Sequence, residues 1–162
     1  MQKITPMLMF TDGQAGKAKE AIATYSSIFP NSQTEMIMQY EKGDGDNEEY
    51  IKHARFTLDG MGFMAMDSSF EHKLNFNEAV SFIVTCDTQE EIDYYWEKLS
   101  AVPESEQCGW LKNKYDVSWQ IVPSIMGKLL TSGDKEKTAR VTQAFLKMKK
   151  FNIQELKRAF KN

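Results

Sequence analysis

The chain has 162 residues, 41% hydrophobic and 27% charged, with a formal net charge of −3. That is enough for one domain with a real core, or for two small fused modules, in a soluble globular protein. The acidic balance argues against nucleic acid or an anionic membrane as the main partner; the basic residues near the C-terminus (Lys147, Lys149, Lys150, Lys157, Arg158, Lys161) are spaced as on the wet face of helices.

Ile4 to Phe10 reads as a short strand, with Pro6 requiring an edge or unpaired position because it has no N–H. Ala18, Ala21, Ile22, Tyr25, Ile28 and Phe29 recur at three- and four-residue spacing, which predicts an amphipathic helix closed by Pro30-Asn31. Three strands follow, Thr34–Tyr40, Ile51–Leu58 and Met61–Asp67, the last two joined by the hairpin signal Asp59-Gly60. Ser68–Glu78 is polar and irregular and connects to a second run of elements. Ala79–Cys86 alternates as a strand. Thr88 and Glu91 form a capping box ahead of a helix whose apolar stripe is Ile92, Tyr95, Trp96 and Leu99. A short irregular strand near Val102–Glu106 and a hairpin of Gln107–Leu111 with Val117–Val122 complete the set. The order βαβββ therefore occurs twice, over 3–67 and 79–122, as a repeat of pattern more than of sequence. Helices follow at Ser124–Leu130, at Asp134–Met148 with Val141, Phe145 and Met148 inward, and from an Asn152 cap with Ile153, Leu156 and Phe160 inward.

Two cysteines, Cys86 and Cys108, cannot build a disulfide framework and read as reduced thiols in a cytoplasmic protein. MQKITPMLMF has none of the layout of a signal peptide, and no apolar run approaches the roughly 18 residues of a membrane span. The ten methionines fall mostly in apolar patterns, a mild pointer to an adaptable pocket.

Three phrases carry a family resemblance. They are Pro6-Met7-Leu8-Met9-Phe10 with Asp12-Gly13 and a helix ending Ser27-Ile28-Phe29-Pro30-Asn31-Ser32; Asn77-Glu78-Ala79-Val80-Ser81-Phe82; and Cys108-Gly109-Trp110-Leu111 followed by Ser118-Trp119-Gln120-Ile121-Val122-Pro123. Together with the doubled βαβββ they resemble the PhnB-like family, some of whose members carry the label 3-demethylubiquinone-9 3-methyltransferase, within the glyoxalase/bleomycin resistance/dioxygenase (vicinal oxygen chelate) superfamily. The resemblance covers about residues 3–130. It implies an α+β fold of two tandem βαβββ modules forming a curled mixed sheet with a cavity, in one glyoxalase-like domain over 1–130, with a C-terminal helical extension over 131–162. It also implies a homodimer meeting through the C-terminal helices or the module edges. Metal-dependent members place ligands near the start and end of each module, and by strand order those places fall at Thr5, near Ala65, at Ser81 and at Gln120. None supplies imidazole, carboxylate or thiolate, so no tightly bound divalent metal is expected.

The residues leave these candidates. Thr5, Ser81, Ser118 and Gln120 are polar groups at strand positions facing a cavity, suited to hydrogen-bonding a small ligand, or else satisfied within the sheet. Asp67 ends a strand and is either a turn cap or a ligand contact. Trp110 and Trp119 could stack on a flat ligand; Trp119, alternating with Val117 and Ile121, reads as core. Cys108 as a nucleophile needs a base that neither His53 nor His72 supplies by spacing. Asp12-Gly13-Gln14-Ala15-Gly16 stands where a nucleotide-binding turn would but lacks G-x-G-x-x-G. The leading expectation is a small-molecule-binding protein; the alternatives are a metal-dependent lyase, isomerase or dioxygenase-like enzyme and a drug-sequestering resistance protein.

Overall fold

In the computed structural model, which describes residues 2–162, the chain forms two compact units, one ending at Asn75 and one beginning at Phe76. The first unit follows the predicted order: β1 (Met7–Phe10), α1 (Ala18–Ile28), β2 (Gln33–Gln39), β3 (Ile51–Leu58) and β4 (Met61–Asp67). Its sheet runs β1-β4-β3-β2, with β1 parallel to β4 and the other pairs antiparallel. The predicted helix stripe is the buried one: Ala18, Ala21, Ile22, Tyr25 and Ile28 are all enclosed. They share the core with Leu8, Phe10, Ala54, Phe56, Phe63 and Ala65, the alternate residues of three strands. Asp59 and Gly60 close the β3–β4 hairpin with φ of 46° and 75°, the left-handed pair that a two-residue turn needs.

Strand β1 starts three residues later than the alternation from Ile4 predicts. Pro6 cannot donate to a ladder; its carbonyl accepts from the Met64 N–H at 2.9 Å, and regular pairing begins after it. Thr5 consequently lies ahead of the strand, half-buried.

Asp67, at the end of β4, ties this unit together. Its carboxylate is 1% exposed and accepts from the Ala18 N–H at 3.0 Å and the Ile51 N–H at 2.9 Å. One oxygen thus caps the first turn of α1, where free N–H groups favour an anion, and the other pins the start of β3. Burial raises its pKa above the ordinary carboxylate value, against the lowering effect of the backbone donors.

The second unit contains β5 (Phe82–Cys86), α2 (Gln89–Leu99), β6 (Trp110–Lys112), β7 (Ser118–Pro123) and the helices α3 (Met126–Leu130), α4 (Lys135–Phe145) and α5 (Ile153–Lys161). Its sheet runs β5-β7-β6, with β5 parallel and β6 antiparallel to β7. This is the order β1-β4-β3 over again without a fourth strand, so the second module is βαββ, one strand short of the pattern predicted for 79–122. The expected strand near Val102–Glu106 is a 3-10 turn at Pro103–Ser105. Pro103 removes a donor, and the Ser105 hydroxyl folds back onto the Val102 carbonyl at 2.7 Å. The backbone just ahead of β6 pairs instead with the C-terminal part of the chain: Cys108 and Gly109 N–H groups donate to the Met148 and Lys149 carbonyls, both at 2.8 Å.

The caps read from the sequence are present. Thr88 and Glu91 make the reciprocal capping box, and Asp134 and Asn152 accept the first N–H groups of α4 and α5. Val141, Phe151, Ile153 and Leu156 are buried within this unit. Among the described residues no helix is long and apolar enough to cross a membrane.

Asp67→Asn should lower the unfolding free energy by about 2 kcal/mol, because an amide offers one acceptor where two buried N–H groups need one each. Urea denaturation at pH 7 measures this. The sign of the pH effect is also set: with a raised folded pKa, the contribution of Asp67 is full below the ordinary carboxylate range and declines as pH rises through the raised value, a slope the Asn variant should lack.

Candidate functional site

The site begins with the β6–β7 hairpin. Asn113, buried at the turn, accepts through its side-chain oxygen from the Tyr115 N–H at 3.0 Å and the Val117 N–H at 3.1 Å. This closes the turn and sets the register Trp110↔Gln120, Leu111↔Trp119 and Lys112↔Ser118. Because side chains alternate across a strand, Leu111, Trp119 and Ile121 enter the core together. Trp119 is 3% exposed, its ring 5.2 Å from that of Phe82. It is a core residue, as its alternation predicts, and does not line the cleft described next.

The opposite face carries Trp110, Lys112, Ser118 and Gln120. Beside them opens a cleft of about 360 Å³ lined by Glu78, Ser105, Cys108, Trp110, Lys112 and Ser118 among others. Lys112 pairs with Glu78 and holds its carboxyl below the usual range. The Ser105 hydroxyl is occupied, donating to Val102 and accepting from the Lys112 N–H at 2.9 Å. Ser118 differs. It is 1% exposed, and among the described residues its hydroxyl finds no hydrogen-bond partner. Gln120, next on this face of β7, is satisfied: its amide donates to the Ser81 hydroxyl at 2.9 Å.

The predicted strand Ala79–Cys86 begins only at Phe82, so Ser81 lies just ahead of β5 and reaches the sheet through Gln120; Trp110, Ser118 and Gln120 are on the sheet itself, and of these Trp110 and Ser118 line the cleft. Thr5 and Asp67 belong to the first unit, where Asp67 is fully engaged as a cap. Lys112 and Glu78 were not among the predicted site residues. Lys112 follows from the hairpin register, which depends on a turn of Asn113–Val117; Glu78 comes to it from a turn outside any strand.

The other positions favour structural roles. Ala65 is wholly buried among the core residues of the first unit, and Thr5, Ser81 and Gln120 offer hydroxyls and an amide. Such a set does not fit a first-row divalent cation. Among the described residues no three His, Cys, Asp or Glu side chains stand together to hold one. His72 shares a hydrogen bond with Ser68 at 2.9 Å. The Cys108 thiol donates to the Phe145 carbonyl at 3.6 Å. Cys86 is 0% exposed, and burial, with Glu91 and Asp87 adding, pushes its thiol up to about 12. In the loop before α1, Gly16 has φ +81° and a Cβ there would come within 2.6 Å of the Tyr50 ring, so the glycine serves packing.

A second feature lies in the first unit. On the sheet face opposite α1, Met7 and Met9 of β1 stand beside Met64 and Met66 of β4, and Met36 and Met38 of β2 stand opposite Arg55 and His53 of β3. Six of the ten methionines thus share one face of one sheet. Their signal in the sequence is the spacing Met-x-Met, three times repeated.

A model of the family described as 3-demethylubiquinone-9 3-methyltransferase matches residues 2–122. A solved PhnB protein from Bacillus cereus is 41% identical; the match covers 76% of this chain and all of that one, with a TM-score of 0.66. A Pseudomonas aeruginosa protein at 19% identity, with 76% of this chain and 98% of that one covered, shares the fold at a TM-score of 0.56. No curated protein matches. A strand-helix unit whose first strand runs parallel to its last, present twice, is the α+β arrangement that the resemblance to the glyoxalase/bleomycin resistance/dioxygenase class implies. Within it, the chain belongs to the PhnB-like family, described as 3-demethylubiquinone-9 3-methyltransferase.

Two outcomes are expected here. Alkylation with iodoacetamide at pH 8 should leave Cys86 unmodified in the native protein and label it after unfolding, read by mass spectrometry, because the thiol is buried and held far from the thiolate. Gly109→Ala should cost about 2 kcal/mol or more in chemical denaturation: φ is +84° and the new Cβ would come within 2.4 Å of the Phe151 ring and 3.0 Å of the Ile121 carbonyl.

Proposed function

We propose that this chain binds a small organic molecule in the cleft of its second unit, through its own side chains and without a tightly held metal. The observation that carries the reading is Ser118, a residue lining a cleft of about 360 Å³ whose hydroxyl is buried and, among the described residues, without a hydrogen-bond partner. An unsatisfied buried hydroxyl costs on the order of 1–3 kcal/mol, a cost that a ligand with a matching polar atom removes. The rest of the lining has the makeup of a ligand site: one aromatic ring, Trp110, and a few polar groups that can fix orientation. The methionine face of the first unit offers a second adaptable apolar surface of the kind used for variable ligands.

Methyl transfer, the activity in the family's description, is not what we propose. A nucleotide-type methyl donor is ordinarily held at a glycine-rich turn opening a helix of a doubly wound parallel sheet. Here neither sheet is of that kind, and the turn before α1 is spent on packing against Tyr50.

Ser118→Ala discriminates. It should raise the stability of the free protein by about 1 kcal/mol, since it deletes a buried polar group that nothing satisfies. In a thermal-shift screen of small organic compounds, those that raise the melting point of the natural protein should do so less with Ser118→Ala and least with Trp110→Ala. A Ser118→Ala protein less stable than its parent would show the hydroxyl already satisfied and would sink the reading.

A further inference from the structure

Resting on that reading of the cleft, we propose that its ligand is a planar organic anion, such as an aromatic carboxylate, and that Glu78 is a built-in counter-ion which the ligand displaces from Lys112. The two members of the ion pair are unequal. Lys112 is on β6, directly opposite Ser118 in the register, and its side chain is 20% exposed. Glu78 is on a turn outside the sheet, and its side chain is 59% exposed. The cation is therefore part of the wall and the carboxylate is the partner free to leave.

The chemistry of the wall selects the sign of the charge. A molecule filling the cleft takes more water from Lys112, and an ammonium that loses water needs an anionic partner. A cation would meet Lys112 as a like charge. A neutral molecule leaves Glu78 where it is and gains nothing from the pair. An anion can take the place of Glu78, returning that carboxylate to solvent at little cost because it is already mostly exposed. Ser118, the register partner of Lys112 on the same wall, has a hydroxyl donor that a side-chain rotation can turn toward a carboxylate held by the ammonium. Trp110 supplies the flat apolar surface for the remainder of the ligand.

The test uses the full chain, with 2-naphthoate and its neutral isostere 2-naphthamide as probes, by isothermal titration and tryptophan fluorescence. The naphthoate should bind about tenfold more tightly than the amide, the size of one charge-assisted hydrogen bond. Glu78→Gln should tighten naphthoate binding several-fold and leave the amide unchanged, because the resident competitor is gone. Lys112→Met should abolish the preference for the acid. Glu78 is exposed on a turn, so its variant should fold whatever happens to Lys112→Met. Equal affinity for acid and amide, or Glu78→Gln binding the acid no better than the natural protein, overturns the anion proposal and leaves small-molecule binding intact. Failure of both probes to bind at millimolar concentration overturns the cleft reading and this proposal together.

Discussion

The second unit depends on the position of β7. This strand is hydrogen-bonded on both edges, to β5 in parallel and to β6 in antiparallel fashion. A strand held on both sides has no freedom to slip, and a slip of one residue would exchange its two faces. Trp119 and Ile121 would leave the core, and Ser118 and Gln120 would enter it with two further polar groups to satisfy. The burial of one indole and one isoleucine thus decides where the polar residues of the cleft point. Core and site are two sides of one constraint, with the Asn113 turn and the docking of Met148 and Lys149 holding the hairpin in place.

The first unit solves the same topological problem with a charge. Its equivalent central strand, β4, ends in Asp67, whose carboxylate joins the start of α1 to the start of β3. Burying a carboxylate is expensive, and the raised pKa registers that expense. The backbone donors offset it because their geometry is fixed by a helix terminus and a strand terminus, which would otherwise hold free N–H groups in a dry place. The second unit has Pro123 at the end of β7, in the place Asp67 holds on β4. Its helix instead carries its own cap in Thr88 and Glu91. The two modules therefore share topology while differing in how each helix is anchored, consistent with a repeat visible in pattern and scarcely in sequence.

What could be read in advance was local. The stripe of α1, the capping box, the Asp59-Gly60 turn and the caps at Asp134 and Asn152 need only neighbouring residues, and all appear; of the α2 stripe Ile92 and Leu99 are buried, while Tyr95 and Trp96 are half-exposed. The late start of β1 and the lost strand near Val102–Glu106 both trace to prolines whose missing donors were a readable signal. Trp110 and Ser118 were legible from alternation along the hairpin. Lys112 was one register step away, and its position opposite Ser118 hinged on a turn length the sequence leaves open. Glu78 was beyond reach, because nothing local brings a turn residue to a strand lysine more than thirty positions later. The Met-x-Met spacing is plain along single strands, but the gathering of these methionines on one face requires the order of four strands.

The polar groups of the cleft differ in how completely the protein satisfies them, and that gradient carries more information than their identity. Ser105 is saturated by backbone, and Gln120 is held by Ser81; both behave as parts of the sheet. Lys112 is satisfied by a partner that is mostly in water, and among the described residues the Ser118 hydroxyl has no partner. A fold selected for stability alone has simple remedies for both, an alanine at one position and an apolar residue at the other. Their placement opposite one another on a hairpin whose same face carries Trp110 is what supports the proposed binding: groups oriented by the scaffold, with hydrogen-bonding capacity available to a guest. The catalytic question follows from this one, because a substrate has first to be held by the groups that line the cleft. Under the binding proposed above, any chemistry begins with the molecule that satisfies Ser118.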